Sequence, residues 1–420
     1  MIKLNGKITD DNNFFGNRNP FELMDTYGSP LYVYNERILR TRCREMKELV
    51  SYPHFKVQFS SKSNANFFVI KIAREEGLLV EATSPGEIYV QLEAGYKPHE
   101  IFYVCNNVSE EDMSYAVDRG VLVSADSLSQ LERLGRVNTG GRVAVRFNPG
   151  VGDGHHEKVV TAGEHTKFAV SPKDIPQVKE ILKKYQLKLV GLNQHIGSLF
   201  MEGTSFMQSS HNLKEVAMQF EDLEFIDLGG GFGIPYRKQE NQPRLGLKEL
   251  GQQLSEFMFN FSKDYGKDLT FITEPGRYIT AECGVILGTV HSVKYNENEK
   301  YIGTDVGMNV LLRPAMYNAH HDIEVYRKEK HGHESESTEK VTIVGNICES
   351  GDILGDYELP EIKEGDCIAV LDAGAYGHVM SSNYNYRMRP AEVLIREDNS
   401  DVLIRERDTF EDIMKKFCIC

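Results

Sequence analysis

The chain has 420 residues, of which 40% are hydrophobic and 26% are charged, and its formal net charge at pH 7 is -14. This length exceeds what one hydrophobic core usually serves, so we expect two domains. The acidic balance argues against a nucleic-acid partner, and no apolar run approaches the ~20 residues that a membrane span requires.

The cysteines and the first residues of the chain indicate in which cellular compartment the protein is expected. Seven cysteines are scattered along the chain without the spacing of metal ligands. The first residues lack the apolar segment of a signal peptide. We therefore expect a cytoplasmic protein with no membrane partner and no metal site, and we interpret His155 and His156 as loop residues.

Strand-like and helix-like patterns alternate through the first two-thirds of the chain. Ser84, Pro85 and Glu87 form a typical helix start, and Gly77 a typical helix end. The predicted helices are residues 66–76, 84–95, 109–120, 175–185, 207–220 and 247–265, and Ser127 caps a further one. The predicted strands are residues 55–60, 78–81, 101–104, 121–124, 142–147, 187–194, 225–228 and 269–273.

About eight successive strand–helix units predict a TIM-type (β/α)₈ barrel over residues 36–278, or failing that an open parallel sheet. Beyond this region the pattern changes, and strands follow one another without helices between them. We expect residues 1–35 and 279–420 to form an all-β domain, either a β-sandwich or a β-barrel. Its predicted strands are residues 285–295, 340–348, 367–371, 391–395 and 401–405, and residues 327–339 are predicted to be a solvated loop.

Two predicted loops combine groups that bind anions. Gly229, Gly230 and Gly231 follow the seventh strand and can present backbone N–H groups, while Arg277 follows the eighth strand. Glu274, in the same loop as Arg277, would repel a phosphate, but it can pair with a ring nitrogen that must stay protonated. Pyridoxal phosphate carries both groups. The alternative is a tight turn and a solvated glutamate.

Two further strand ends carry side chains that suit this cofactor. Lys62 follows the first strand, where partial desolvation would favour the neutral amine that forms a Schiff base. A lysine that merely extends to solvent is the alternative. His195 follows the sixth strand and could stack on the cofactor ring, with the Ser198 hydroxyl on the phosphate. A structural histidine is the alternative.

Taken together, Lys62, the segment 195–198, the glycine run and the loop from Glu274 to Arg277 resemble the alanine-racemase-like (fold type III) pyridoxal-phosphate decarboxylases over nearly the whole chain. Residues 313–321, 348–352 and 374–385 resemble the later motifs of the branch that acts on meso-diaminopimelate. The resemblance implies a barrel followed by a β domain, a homodimer with shared active sites, and decarboxylation of meso-diaminopimelate to L-lysine and carbon dioxide, the last step of lysine biosynthesis. Alternatives are the same scaffold acting on ornithine, arginine or carboxynorspermidine, and an inactive homologue that binds a partner.

The resemblance also implies a role for each matching residue. Lys62 binds the cofactor covalently, His195 stacks on its ring, and Glu274 faces the ring nitrogen. Cys348 of the partner subunit donates a proton, and Glu349 recognises the distal ammonium of the substrate. The phosphate end is bound by Ser198, Gly230, Gly231, Pro275, Gly276, Arg277 and Tyr376, and the substrate is also contacted by Arg277, Arg313, Tyr317 and Tyr376.

Overall fold

The computed structural model describes residues 1–154, 161–163, 166–329 and 337–418. His155 and His156 lie outside the described residues, as does most of the polar stretch 327–339. Contacts divide the chain into two compact units. The barrel unit comprises Arg40–Ile234 and Arg244–Ile279, and the β unit comprises Met1–Leu39, Pro235–Pro243 and Thr280–Cys420.

Eight parallel strands of the barrel unit form a closed barrel in which neighbours in sequence pair and the last strand pairs with the first. This closure confirms the predicted TIM-type barrel and excludes the open-sheet alternative. The strands are Phe55–Ser60, Leu79–Ala82, Ile101–Val104, Leu122–Ala125, Arg142–Arg146, Lys188–Asn193, Phe225–Asp227 and Thr270–Thr273. Each lies within two residues, at either end, of the strand predicted from the sequence.

Helices alternate with these strands, and several begin at the predicted caps. Ser84 and Ser127 each accept a hydrogen bond from a backbone N–H of the first helical turn, and Ser109 forms a capping box with Asp112. The longest helix, Leu247–Tyr265, has the predicted bounds. The others are Phe67–Glu75, Pro85–Glu93, Glu110–Val117, Leu128–Val137, Ile175–Lys184 and Thr204–Ala217, while Glu36–Lys47 and Arg277–Thr280 span the unit boundaries.

The barrel interior changes from apolar to polar along the strands. The rings of Phe102 and Phe225, from the third and seventh strands, meet edge to face with centroids 5.5 Å apart, so both lie inside the barrel. Because strand side chains alternate between faces, a residue two positions further on points the same way. Asp227 follows Phe225 in this way, and Glu274 follows buried Ile272. The pattern therefore directs charged side chains into the carboxyl end of the barrel.

The β unit is built on a mixed, mainly antiparallel sheet, which confirms the predicted all-β domain. Its core includes Leu31, Val33, Leu287, Ala369 and Val393. Along the sheet the order is Ile2–Lys3, Ile323–Arg327, Cys367–Val370, Gly284–Asn296, Glu299–Thr304, Thr338–Val344 and Ile353–Pro360. Leu31–Asn35 joins Gly284–Asn296 to Ala391–Ile395, which pairs with Asp401–Arg405.

The sequence-based prediction was wrong in parts of this unit. It missed strands Glu299–Thr304, Ile323–Arg327 and Ile353–Pro360, of which the first and third alternate buried residues with charged or half-exposed ones. It also missed short helices, including Arg313–Tyr317 between two strands. The strand predicted over 340–348 ends at Val344, so Cys348 lies in a turn rather than on a strand. Within the described residues, no helix is both long enough and apolar enough to cross a lipid bilayer.

Candidate active site

The turn that carries Lys62 is bonded to the loop that follows the eighth barrel strand. Lys62 lies in the short helical turn Ser61–Ser63, which directly follows the first strand. The Ser60 N–H donates to the carbonyl oxygen of Pro275 at 3.2 Å, and the Ser60 hydroxyl oxygen lies 3.1 Å from the carbonyl oxygen of Glu274. The first and eighth strands are neighbours in the closed barrel, so their carboxyl ends bring these two segments together.

Lys62 forms an ion pair that the sequence-based interpretation missed. Its Nζ lies 2.7 and 2.9 Å from the two carboxylate oxygens of Glu81, which is 1% exposed at the end of the second strand. The Ser60 hydroxyl donates to the same carboxylate at 2.5 Å. The available signal was a single acidic residue inside an apolar strand, because a buried carboxylate requires a cation or several donors. Glu81 therefore holds the Lys62 amine at the end of the barrel.

His195 is held by the glycine run. The N–H of Gly230 donates to Nδ1 of His195 at 3.2 Å, so this nitrogen acts as an acceptor and carries no proton. Burial, together with the positive charges of Lys62 and Arg146, keeps the pKa of His195 well below its ordinary value. The imidazole is therefore neutral, and its proton is on Nε2.

Ser198, Arg277 and the bare backbone at Gly231 form a set that suits a phosphate. Arg277 is buried, and its Nη2 and Nε donate to the Ser198 hydroxyl at 2.8 and 3.2 Å. Gly231 has a φ of +108°, and a Cβ at this position would lie 2.6 Å from the carbonyl oxygen of Gly197. Only a bare backbone fits there, beside a guanidinium and a hydroxyl. This set matches a phosphate group, and Pro275 and Gly276 connect it to Glu274.

Two carboxyl groups lie buried at the same end of the barrel. Glu274 is 3% exposed and accepts a hydrogen bond from Nε2 of Gln58 at 3.1 Å. Burial, followed by the charges of Asp227 and Glu81, raises the pKa of Glu274 well above its ordinary value. Burial also raises the pKa of Asp227 to about 7. Since both groups resist ionisation, a cationic group beside Glu274 would stabilise its charged form.

Several buried polar atoms near these carboxyl groups have no hydrogen-bond partner among the described residues. They include Oδ2 of Asp227, Nε and Nη2 of Arg146, Nδ2 of Asn193 and Oγ1 of Thr273. Each belongs to the last residue of a barrel strand. Buried polar atoms are normally paired, so these atoms indicate room for a polar ligand. A pyridine ring with polar substituents and a phosphate fits this set together with Lys62.

Cys348 and Glu349 lie on an ordered, exposed turn of the β unit. The Cys348 N–H donates to Oδ1 of Asn385 at 3.1 Å, and Nδ2 of Asn385 lies 3.2 Å from the Cys348 sulfur. The Tyr384 hydroxyl donates to the Glu349 carboxylate, which raises the pKa of Tyr384 to about 12. Buried Asp352 accepts the N–H groups of residues 347 and 308 at 2.7 and 2.5 Å, and so anchors the turn.

Arg313 is held in the β unit by His321 and Tyr236. It is 1% exposed, its Nη1 lies 2.6 Å from Nε2 of His321, and its guanidinium stacks 4.5 Å from the Tyr236 ring centroid. Nδ1 of His321 lies 2.7 Å from the carbonyl oxygen of Leu371. Because arginine can only donate and a carbonyl can only accept, His321 carries its proton on Nδ1.

Tyr317 and Tyr376 are the remaining predicted residues. Tyr317 ends the same short helix as Arg313 and is half-buried. Tyr376 is also half-buried, with a left-handed φ of +55°, a conformation that non-glycine residues adopt mainly where the surroundings enforce it. The barrel unit thus contains Lys62, His195, Ser198, Gly230, Gly231, Glu274, Pro275, Gly276 and Arg277, and the β unit contains Arg313, Tyr317, Cys348, Glu349 and Tyr376.

Comparison with known proteins leads to the same family that the sequence motifs resemble. Residues 36–281 match the family model described as pyridoxal-dependent decarboxylase, pyridoxal binding domain. The diaminopimelate decarboxylase of Methanothermobacter thermautotrophicus is 40% identical over 95% of this chain and 94% of its own length. A crystal structure of diaminopimelate decarboxylase has a TM-score of 0.87, with 31% identity over 94% of each chain. The enzyme from M. jannaschii in co-complex with L-lysine has a TM-score of 0.84 and 30% identity, over 96% of this chain and 95% of that one.

Proposed function

Because this chain belongs to the pyridoxal-dependent decarboxylase family and, within it, to the diaminopimelate decarboxylases, we propose that it decarboxylates meso-diaminopimelate to L-lysine, the last step of lysine biosynthesis. The observation that most supports this proposal is the grouping of an amine, a neutral imidazole, a phosphate-binding set and a buried carboxyl at one end of the barrel. Each of these groups matches a different part of pyridoxal phosphate, the cofactor of the family.

The residues at this end of the barrel would each bind a different part of the cofactor. Lys62 would bind it covalently, and His195, whose proton lies on Nε2, would stack on the ring. Glu274 would face the ring nitrogen, and Ser198 and Arg277 would bind the phosphate. When bound, pyridoxal phosphate provides the electron sink that accepts the electron pair left behind by the departing carbon dioxide. Backbone N–H groups of Gly231 and Gly276, together with Gly230, Pro275 and Tyr376, would complete the phosphate site.

Charges of the chain's own residues would govern proton positions at the site. The Glu81 carboxylate lies next to the Lys62 amine and would pair with it until a covalent bond to the cofactor replaces this ion pair. His195 is neutral, so stacking adds no positive charge that would oppose a protonated ring. Buried Glu274 would ionise against such a ring, because a nearby cation offsets the burial that raises its pKa.

We assign the substrate's two ends to different residues. Meso-diaminopimelate carries two carboxylates and two ammonium groups. Arg277 and Arg313 would bind carboxylates, since the planar guanidinium pairs with them through two hydrogen bonds. Tyr317 and Tyr376 would add hydroxyl donors. Glu349 would bind the distal ammonium, because a carboxylate is the complementary charge. Ornithine and arginine lack the distal carboxylate, so they offer no carboxylate to one of the two arginines.

We further propose a homodimer in which Cys348 and Glu349 serve the active site of the partner subunit. Both side chains are exposed within one chain, yet Asn385 and Tyr384 hold them in a defined arrangement. An ordered thiol and carboxylate at an exposed turn suit a role across a two-fold interface. The Cys348 thiol would deliver the proton that replaces the carboxylate. We place this enzyme in the cytoplasm, where a catalytic thiol stays reduced.

The test is carbon dioxide release from a panel of amino acids by the purified protein loaded with pyridoxal phosphate. We expect release from meso-diaminopimelate, with L-lysine as the second product, at rates at least 100-fold above those for ornithine, arginine and carboxynorspermidine. Preferred release from one of those three would replace the proposed substrate. A yellow absorbance band that borohydride bleaches, without release from any of the four, would point to the inactive alternative.

A further inference from the structure

Asp227 is a buried carboxyl group at the centre of the site, and the sequence-based interpretation gave it no role. It ends the strand Phe225–Asp227 and is 0% exposed. Its Oδ1 accepts the N–H of Gly229 at 2.9 Å, whereas Oδ2 has no hydrogen-bond partner among the described residues. A carboxyl group buried at this cost needs an explanation other than fold stability.

The Gly229–Gly230 turn connects Asp227 to two residues on other strand ends. The carbonyl oxygen of Gly229 accepts the N–H of Glu274 at 2.9 Å. The N–H of Gly230 donates to Nδ1 of His195 at 3.2 Å. A Cβ on Gly230 would lie 2.0 Å from the carbonyl oxygen of Glu274, so the turn and the Glu274 backbone are in direct contact.

The left-handed conformation of Gly229 is held by the hydrogen bond that its N–H donates to Asp227. Gly229 has a φ of +79°, a region that glycine enters and leaves easily. The bond from its N–H to Oδ1 of Asp227 spans two residues and selects this conformation, as an aspartate does in an Asx turn. Releasing the N–H would free the turn to rotate, and both hydrogen bonds that leave the turn would weaken.

We propose that Asp227 is a positioning residue, whose Oδ1 fixes the Gly229–Gly230 turn and thereby holds His195 as the Nε2–H tautomer and Glu274 in place at the barrel end. This inference rests on the proposed function only in that His195 and Glu274 serve the cofactor. The positioning of His195 and Glu274 would then depend on the acceptor oxygen of Asp227 rather than on a charge at this residue. Asparagine keeps an acceptor oxygen at this position, and alanine does not.

The experiment uses the full-length, cofactor-free protein labelled with ¹⁵N-histidine, with the His195 signal assigned by comparison with His195→Gln. We expect wild type and Asp227→Asn to show a protonated Nε2 and an unprotonated Nδ1, whereas Asp227→Ala shows averaged tautomers. The dissociation constant of pyridoxal phosphate, measured by fluorescence, should rise at least tenfold in Asp227→Ala and less than threefold in Asp227→Asn. Asp126→Asn removes a buried carboxyl that follows another strand, and should leave the His195 signal unchanged.

Each outcome decides the proposal. A folded Asp227→Ala with the wild-type His195 signal would overturn it. If Asp227→Ala does not fold, Asp227→Asn decides alone: retention of the tautomer and of cofactor affinity supports the acceptor role, and loss of either overturns it. Because these readouts need no substrate, a protein that failed to decarboxylate meso-diaminopimelate would refute the proposed function and leave this test intact.

Discussion

Replacing Asp227 by asparagine should stabilise the cofactor-free protein above neutral pH. Burial raises the pKa of Asp227 from an ordinary value of 3.8 to about 7, so the folded state binds a proton that the unfolded state has already released. The stability this group contributes is therefore complete below about pH 4, and is lost as the pH rises through 7. Each pH unit in this interval is worth about 1.4 kcal/mol, which gives a total loss of up to about 4 kcal/mol. Asparagine does not titrate, so the variant escapes this loss.

Urea unfolding of the cofactor-free protein at pH 5, 6, 7 and 8, followed by circular dichroism, measures the effect. The difference in unfolding free energy between Asp227→Asn and wild type should grow by about 2 kcal/mol from pH 5 to pH 7 and then level off. Asp264→Asn is a suitable control because Asp264 is exposed and its bond to Lys214 lowers its pKa, so its contribution changes only below about pH 4. If wild type and Asp227→Asn lost stability in parallel from pH 5 to 8, burial would not hold Asp227 in its protonated form.

Three further predictions concern the reaction itself. Lys62→Ala should abolish both the borohydride-sensitive absorbance band and turnover; the variant should still fold, with lower stability because buried Glu81 loses its cation, and an unchanged band would exclude Lys62 as the covalent anchor. Glu274→Gln should still bind pyridoxal phosphate but lose about 100-fold in turnover, because an amide cannot offset a charged ring; wild-type turnover would remove Glu274 from that role. Mixed after subunit exchange, inactive Lys62→Ala and Cys348→Ala should recover about one quarter of the wild-type sites, since about half of the dimers are mixed and each holds one intact site. Exchange that is verified independently but restores no activity would place the whole site within one chain.

The barrel could be predicted from sequence because its signals are local. Short apolar runs bounded by glycine, and serine caps such as Ser84 and Ser127, fix the strand and helix positions within a few residues. Eight units are the number that a TIM-type barrel requires, and closure brings the strand ends to one edge. The sequence alone predicts that Lys62, His195 and Glu274 lie close together, since functional groups of such barrels occupy the carboxyl ends of the strands.

The contacts of the site could not be predicted, because they depend on register and on distant pairing. A lone acidic residue in an apolar strand indicates that Glu81 needs a partner, but only the barrel register shows that the partner is Lys62. Arg313 has no local signal of burial, and its contacts with His321 and Tyr236 join separate segments of the β unit. Of the missed strands, Ile323–Arg327 pairs with Ile2–Lys3 and Cys367–Val370, which are distant in sequence. Glu299–Thr304 and Ile353–Pro360 each pair with the strand that precedes them, but their mixed polar and apolar residues give a weak strand signal.

The two halves of the barrel interior serve opposing requirements, and this explains where the site lies. Phe102 and Phe225 fill the interior near the strand starts, where apolar packing stabilises the fold. Two residues past Phe225 the chain places Asp227, whose pKa is raised by burial and whose Oδ2 is unpaired among the described residues. Such a layer lowers the stability of the empty barrel, and apolar residues there would raise it. A ligand that pairs with these groups offsets this cost, so the buried polar groups that weaken the empty fold are the ones that favour binding.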